Sequence, residues 1–293
     1  MDTKLPEFDK LWDYNNPELT EKKFRDILDD TNIEDDGYKA ELLTQIARTQ
    51  GLQMKFDEAH KTLDEALKLI KGENAQAHER YLLERGRIFN SSKQQDKARP
   101  LFLDAYKFAL KNNLDNYAID AAHMMGIVEK GEDSLKWNEI GIKLAELSKD
   151  EKARNWLGSL CNNTGWTYFD MKKYDEAMNL FKKNVKWHEE KKSKMQLIIA
   201  KWCVARTLRA TNKTDEALKM QMGLTEELKE KGLEQDGYVF EEIGECLILL
   251  NREHESKEYF KKAYELLSKD IWMAENEKER LERMKKLSGE YAE

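Results

Sequence analysis

The stretch Asn162–Lys183, NNTGWTYFDMKKYDEAMNLFKK, decides the fold of this chain. Gly165 and Tyr168 stand three residues apart on one amphipathic run, and Ala177 and Phe181 stand four apart on a second run. A small residue lets two helix backbones approach each other, and a bulky residue fills the space beside it. The stretch therefore predicts a helix–turn–helix unit.

The same order of small and bulky residues recurs along the chain. Small residues recur at intervals of 39, 40, 39, 40 and 39 positions: Ala47, Gly86, Gly126, Gly165, Ala205 and Gly244. Twelve positions after each of them stands a second residue that is small in most cases: Ala59, Ala98, Asn138, Ala177, Ala217 and Ser256. Four positions further on stands a residue that is bulky in most cases: Leu63, Phe102, Ile142, Phe181, Gln221 and Phe260. Such regularity over about two hundred residues predicts an all-α protein, a solenoid of about six helix pairs.

The pattern divides the chain into six repeats between two capping segments. The predicted repeats are 38–74, 75–114, 115–153, 154–193, 194–233 and 234–270. Residues 1–37 form an N-terminal capping helical segment, in which Pro17 marks the first turn of a helix, and residues 271–293 form a C-terminal capping helix. The third repeat is the least typical, because Met125 and Glu129 replace the expected leucine and tyrosine. Whether this repeat acts as a hinge stays an open question.

These repeats resemble those of the tetratricopeptide repeat (TPR) superfamily over roughly residues 38 to 290. The strings LLTQIARTQGLQ, YLLERGRIFN, GWTYFDMKKYDEA and AKWCVARTLR also resemble a group of stand-alone bacterial TPR proteins. The period here averages about 40 residues, whereas the usual TPR unit has about 34. The resemblance implies a right-handed superhelix whose first helices line a concave groove. TPR proteins commonly bind an extended peptide or a helix in such a groove.

Composition supports an all-α protein and narrows its function. Charged residues make up 37% of the 293-residue chain and only three residues are proline, which favours helices. The net charge of −7 argues against general nucleic-acid binding, since such proteins usually present a strongly basic face. The first residues show no signal-peptide pattern, and the longest apolar runs, such as Cys246–Leu250, are too short to span a bilayer.

The cysteines and the missing motifs indicate a cytoplasmic protein without catalytic chemistry. Cys161, Cys203 and Cys246 are odd in number and widely spaced, which predicts buried thiols in a reducing compartment. The sequence has no phosphate-binding loop, no dinucleotide-binding glycine motif, no G-x-S-x-G elbow and no H-E-x-x-H pair. We therefore expect no enzymatic activity, no cofactor and no metal site. The expected partner is a protein or peptide, and self-association stays open.

Each first helix carries a stripe of residues three and two positions before its small residue and one and four positions after it. The stripes predict these groove residues: Arg48, Arg87, Asn90, His123, Asn162, Asn163, Trp166, Phe169, Trp202, Arg206 and Arg209. Asparagine amides can hydrogen-bond a peptide main chain, and planar arginine forks suit carboxylates. Aromatic rings can bury a bulky anchor. The stripes therefore predict a groove for an acidic peptide or a free C-terminal carboxylate.

Structural roles compete with ligand binding at several of these positions. Arg206 and Arg209 can pair with Glu242 and Glu245 on the next first helix and form a charge ladder. The two tryptophans can pack between neighbouring repeats. Three hypotheses remain for the function: an adaptor for a partner protein, a regulatory peptide sensor whose superhelix tightens on binding, and an RNA-binding repeat protein. The acidic balance disfavours the third.

Overall fold

The structure is a computed structural model that describes residues 5–30, 33–72 and 74–289, except for the side chains of residues 271 and 272. The remaining parts of the predicted caps and of the first repeat lie outside the described residues. The described part of the chain consists of helices joined by turns and contains no strand, which confirms the predicted all-α class. It forms two compact units, whose boundary in the sequence lies between Trp156 and Leu157.

The first unit begins with a 3-10 helix, Phe8–Leu11, and continues with α-helices that pack in consecutive pairs. These helices are α1 (Pro17–Leu28), α2 (Asp36–Leu52), α3 (Phe56–Leu69), α4 (Ala75–Ser91), α5 (Gln95–Lys111), α6 (Asp115–Val128), α7 (Gly131–Leu147) and α8 (Glu151–Arg154). The pairs are α2 with α3, α4 with α5, and α6 with α7. The first helices of neighbouring pairs also contact each other, α2 with α4 and α4 with α6.

The second unit is built in the same way. Its helices are α9 (Trp156–Asp170), whose first residue still belongs to the first unit, α10 (Tyr174–Lys191), α11 (Lys194–Ala210), α12 (Thr214–Glu230), α13 (Gly237–Leu249), α14 (Glu253–Leu267), α15 (Ile271–Asn276) and α16 (Lys278–Ser288). α11 packs on α12 and α13 on α14, and α16 packs on α14. Among the described residues, no helix is both long enough and apolar enough to cross a bilayer.

Phenylalanine rings pack directly over glycines of the first helices. A Cβ atom added to Gly165 would lie 2.5 Å from Cε1 of Phe181, and one added to Gly244 would lie 2.8 Å from Cε2 of Phe260. Both rings are completely buried. The two helices of a pair can approach this closely because the glycine has no side chain. In the pairs that carry both a glycine and a phenylalanine, these recurring residues therefore form the contact between the two helices.

The third pair, α6 with α7, replaces the ring by a polar side chain. Asn138 occupies the space next to Gly126, where a Cβ atom would collide with its amide group. Ser134 donates from Oγ to the carbonyl oxygen of Gly126 at 2.5 Å. The atypical third repeat thus keeps the close helix approach with a hydrogen-bonded contact in place of an aromatic one.

Turns with one left-handed residue join the two helices of most pairs. The left-handed residue stands seven positions after the small residue, with φ between 56° and 62°: Met54, Lys93, Lys172, Asn212 and Asn251. In the first pair, the N–H of Met54 donates to Gly51 O at 3.0 Å, and the N–H of Lys55 donates to Gln50 O at 2.9 Å. These two bonds form a Schellman motif, in which glycine is the usual left-handed residue.

Candidate functional site

Glu84 on α4 joins the two predicted groove arginines of the first unit. Nη1 of Arg48, on α2, lies 3.0 Å from Oε1 of Glu84, and Nη1 of Arg87 lies 2.6 Å from the same oxygen. Arg87 also donates through Nη2 to Asp120 on α6. Burial by itself lowers the pKa of Arg87, but Asp120 and Glu84 raise it above its ordinary value, so this guanidinium stays charged. A chain of ion pairs therefore links α2, α4 and α6.

Asn90 and His123 also lie on first helices of the first unit. Asn90 lines a small cavity of roughly 180 Å³ together with Arg48 and Arg87. The ring centroid of His123 lies elsewhere, 5.5 Å from that of Trp156. Burial lowers the pKa of His123, which favours the neutral imidazole at pH 7. The structure thus brings three of the four predicted residues of this unit together and leaves His123 apart.

The N-terminal segment reaches the same face, which we did not expect from the sequence. Trp12 donates its Nε1–H to Oε1 of Gln45 at 3.0 Å, and its ring stacks on that of Tyr14 with the centroids 4.7 Å apart. The Cζ atom of Arg48 lies 5.8 Å from the Trp12 centroid and 5.6 Å from the Tyr14 centroid, within cation–π range. The aromatic and acidic run FDKLWDY, at residues 8–14, is the signal that could have indicated this contact.

Arg80 of α4 anchors this N-terminal segment and was not among the predicted residues. Its Nη2 lies 2.6 Å from Oδ2 of Asp9, and its Nε lies 3.1 Å from Oε2 of Glu41. Its Cζ atom lies 5.5 Å from the ring centroid of Phe8 and 5.8 Å from that of Tyr117. The side chain is only 10% exposed, so its two carboxylate partners and the rings replace water around the charge.

Glu242 on α13 has the corresponding role in the second unit. Nε and Nη2 of Arg209 bind its two oxygens at 2.7 and 2.9 Å, and Arg206 donates to Oε1 through Nη1. The side chain of Glu242 is 1% exposed, so the two guanidinium groups replace its hydration. The alternative pairing of Arg206 and Arg209 is therefore present for Glu242, whereas Glu245 binds Arg283 of α16.

Three aromatic side chains on α9 and α11 surround Arg206. The Trp166 centroid lies 5.0 Å from that of Phe169 and 5.7 Å from that of Trp202. The Cζ atom of Arg206 lies 5.7 to 5.8 Å from all three centroids. Trp202 also donates its Nε1–H to the carbonyl oxygen of Tyr238 at 3.1 Å. The three rings are half-buried, so they pack between helices and still present surface to solvent.

Asn162 and Asn163 lie one helical turn before Trp166 on α9. Nδ2 of Asn162 donates to Oδ1 of Asn163 at 3.3 Å, and Sγ of Cys203 donates to Oδ1 of Asn162 at 3.6 Å. Asn163 is exposed. Burial raises the pKa of Cys203 to about 12, so the thiol stays protonated and unreactive at pH 7. We call the predicted residues of this unit the α9–α11 surface: Asn162, Asn163, Trp166, Phe169, Trp202, Arg206 and Arg209.

Both units gather side chains whose chemistry suits binding. Arginine forks, amide groups and half-buried rings can bind carboxylates, main-chain groups and bulky side chains. Within the part of the chain that the structure describes, no cluster of three or more His, Cys, Asp or Glu side chains is arranged to hold a metal ion.

Two segments of the chain, residues 157–190 and 239–268, match family models described as tetratricopeptide repeat. The chain is a tetratricopeptide repeat protein. Both segments lie in the second unit, where they cover most of the pairs α9 with α10 and α13 with α14. TPR proteins in general are non-enzymatic scaffolds for other proteins. No curated protein matches this TPR protein by sequence.

Solved structures share the fold of this TPR protein at low sequence identity. RapI in its apo form has a TM-score of 0.72 and 11% identity, over 90% of this chain and 76% of that one. A signal transduction ATPase with a tetratricopeptide repeat sensor, from Pyrococcus horikoshii, has a TM-score of 0.70 and 13% identity over 91% of this chain; the match spans 41% of that protein. NprR in complex with its cognate peptide NprX has a TM-score of 0.52 and 13% identity, over 97% of this chain and 84% of that one. Identities this low show a shared fold.

Proposed function

We propose that this TPR protein is a non-enzymatic scaffold that binds a partner polypeptide on the α9–α11 surface. The observation that carries the proposal is the half-buried cluster of Trp166, Phe169 and Trp202 around Arg206. Tryptophan and arginine are enriched among the residues that dominate the energy of protein interfaces. Asn163 adds an exposed amide group, which can hydrogen-bond a peptide main chain.

An acidic peptide or a C-terminal carboxylate is the ligand that the charges of this surface favour. Arg206 and Arg209 share the single carboxylate of Glu242, so the three groups together keep one positive charge. The side chain of Arg206 is 29% exposed and binds Glu242 through Nη1, which leaves its other N–H groups for a ligand. Charge-assisted hydrogen bonds to a carboxylate are the strongest contacts that such a group makes.

Selection from random octapeptide libraries on the immobilised full-length chain tests the proposal. We expect enrichment of peptides that combine an aromatic residue with Asp, Glu or a free C-terminus, over amidated and neutral peptides. The Arg206→Gln/Trp202→Phe variant should bind a selected peptide at least roughly tenfold more weakly, or by about 1.4 kcal/mol, as measured by fluorescence anisotropy. Arg48→Gln, the equivalent change in the first unit, is the matched control and should retain binding.

The circular dichroism spectrum and melting curve of each variant must first show that it is folded. Selection of peptides without acidic or aromatic character would contradict the assigned chemistry. Unchanged affinity in the Arg206→Gln/Trp202→Phe variant would show that the α9–α11 surface is not the binding site.

A regulatory peptide sensor is the second candidate, and the shared fold with NprR, solved with its cognate peptide NprX, favours it. In a sensor, the ligand binds one conformation more tightly than another and so shifts the population towards it. Small-angle scattering with a saturating selected peptide should then show a smaller radius of gyration. An unchanged radius with bound peptide would support the plain scaffold.

We also infer a cytoplasmic location. Cys161, Cys203 and Cys246 are free and buried, as expected where thiols are kept reduced. Fractionation of cells that produce the natural chain tests this inference, and recovery from an extracytoplasmic fraction would contradict it.

A further inference from the structure

A cavity of roughly 740 Å³ opens within the first unit. The first helices contribute Arg48, Glu84 and Asp120 to its lining, the N-terminal segment contributes Trp12, and the start of α9 contributes Trp156. Its volume is typical of sites that enclose a ligand of several residues or a drug-sized molecule. All of its lining residues belong to the first unit.

Carboxylates outnumber cationic side chains in this lining, five to four. The arginines among the cationic groups already hold carboxylates: Arg48 with Glu84, Arg87 with Glu84 and Asp120, and Arg80 with Asp9. An incoming anion would have to displace one of these partners and leave it without a counter-charge in a partly buried place. An incoming cation displaces no partner, because each carboxylate has several acceptor sites and the arginines occupy only some of them. The cavity therefore favours a cationic ligand.

One buried oxygen of a lining residue, Glu84, lacks a hydrogen-bond donor. Oε1 of Glu84 accepts from both Arg48 and Arg87, whereas Oε2 is buried and has no hydrogen-bond partner in the described part of the chain. Glu84 as a whole is 3% exposed. A buried carboxylate oxygen is costly to leave unpaired, so Glu84 keeps unused acceptor capacity and negative charge at the cavity.

Aromatic rings complete the lining and suit the same ligand. Arg48 already lies within 5.8 Å of the centroids of the stacked Trp12 and Tyr14 rings, which shows that they accept a guanidinium group. Trp156 is held in place because its Nε1–H donates to Oδ1 of Asn116 at 3.0 Å. Aromatic faces attract cations and pack against the aliphatic stems of arginine and lysine.

We propose that this cavity binds the arginine or lysine side chain of a basic peptide segment. The cationic head pairs with carboxylates of the lining, Glu84 among them, and its stem packs against Trp156. The cavity is larger than one side chain, and the exposed amide of Asn113 at its lining can hydrogen-bond the main chain of the segment. The proposal goes beyond the α9–α11 surface and does not depend on it, because the two sites share no residue.

Fluorescence anisotropy with labelled, end-capped hexapeptides tests the proposal on the full-length chain. The peptides differ only at one central position, which is arginine, lysine, citrulline or glutamate. The arginine and lysine peptides should bind. The citrulline peptide, which keeps the shape of arginine without its charge, should bind at least roughly tenfold more weakly, and the glutamate peptide more weakly still. A preference for the glutamate peptide would overturn the proposal.

Matched variants locate the binding. Glu84→Gln should lower the affinity for the arginine peptide at least roughly tenfold. Glu242→Gln makes the same change at the doubly paired carboxylate of the second unit and should leave this affinity unchanged. Equal effects of the two variants would overturn the assignment to the first unit. A change in acidic-peptide affinity in Glu242→Gln alone bears only on the α9–α11 surface, so the two proposals can fail separately.

Two exposed residues of the lining allow a test that leaves the buried ion pairs intact. Asp150 and Lys152 stand at the start of α8. Asp150→Asn keeps the capping oxygen and should weaken the arginine peptide about threefold, and Lys152→Glu should tighten it about threefold. If Asp150→Asn, Lys152→Glu and Glu84→Gln all leave the affinity for the arginine peptide unchanged, the proposal is overturned. N-acetylarginine amide and spermidine serve as competitors. If either binds as tightly as the arginine peptide, the ligand is a small cation and the assignment to a peptide is overturned.

Discussion

Gln221 shows how one residue can depart from the repeat that surrounds it. It occupies the position at which the other repeats carry bulky apolar residues, and its amide group is completely buried in α12 without a hydrogen-bond partner among the described residues. Since a buried unpaired polar group costs about 1–3 kcal/mol, Gln221→Leu should raise the free energy of unfolding by about 1–2 kcal/mol in urea titrations. Gln196→Leu, on the exposed side of α11, is the control and should change it by less than about 0.5 kcal/mol. A loss of stability in Gln221→Leu would show that the amide has a partner.

Glu79 on α4 should make stability depend on pH. It is completely buried, and neither carboxyl oxygen has a hydrogen-bond partner in the described structure. Burial, and secondarily the charge of Asp120, raises the pKa of Glu79 from 4.5 to about 8. Between these two pH values the folded chain keeps a proton that the unfolded chain releases. The contribution of Glu79 to the free energy of unfolding is therefore complete below pH 4.5 and is lost as the pH rises through about 8.

Glu79→Gln should remove this dependence. At pH 9 the variant should be more stable than the natural chain by on the order of 1–3 kcal/mol, and the difference should shrink towards pH 5. Urea unfolding at pH 5, 7 and 9 measures it, with Glu65→Gln on the exposed side of α3 as the control. Parallel pH profiles of natural chain and variant would contradict the buried, neutral state of Glu79.

At the scale of the helix pair, the contact between a ring and a glycine should decide stability. Gly165→Ala places a methyl group against the buried Phe181 ring. Its overpacking cost of about 1–3 kcal/mol should exceed the helix-propensity gain of about 1 kcal/mol. Gly223→Ala in α12 meets no atom within 4 Å, so it should stabilise the chain by up to about 1 kcal/mol. Thermal and urea unfolding compare the two. Partial recovery in Gly165→Ala/Phe181→Leu would confirm the cause, and a stabilising Gly165→Ala would contradict the packing.

The turn within the first pair should accept glycine. Met54 is left-handed, with φ of 61°, and the residue is 75% exposed, so it makes little compensating contact. A left-handed conformation costs a non-glycine residue roughly 1–2 kcal/mol, part of which glycine gives back as entropy of the unfolded chain. Met54→Gly should therefore stabilise the protein by about 0.5–1 kcal/mol in urea unfolding. Lys61→Gly, in the exposed interior of α3, should instead destabilise it by about 1 kcal/mol. Destabilisation by both changes would mean that Met54 makes contacts of its own.

Across the whole molecule, a contact could be predicted from the sequence only when the separation of its two residues fitted the repeat. Gly165 and Phe181 belong to one helix pair, so their contact follows from local spacing. Arg206 and Glu242 are 36 residues apart, close to one repeat, and this spacing suggested their pairing as an alternative to ligand binding. Asp9 and Arg80 are 71 residues apart, and the segment FDKLWDY has no counterpart in the repeats, so repeat spacing could not bring it to α4.

The net charge of the whole chain should act on both proposed ligands in opposite directions. With 57 acidic and 50 basic side chains, the chain as a whole attracts a basic peptide and repels an acidic one. Salt screens both effects over the distance of diffusional approach. Between 50 and 300 mM salt, the association rate of the arginine hexapeptide should therefore fall by roughly threefold, and that of an acidic octapeptide should hold or rise.

Stopped-flow anisotropy gives both association rates, and the citrulline peptide, which carries no charge at the tested position, supplies the baseline. Dissociation should change less with salt, because it depends mainly on short-range contacts such as the pairing with Glu84 and the packing against Trp166. An arginine peptide whose association rate rises with salt would show that a local basic surface, and not the acidic balance of the chain, governs the approach to the first unit.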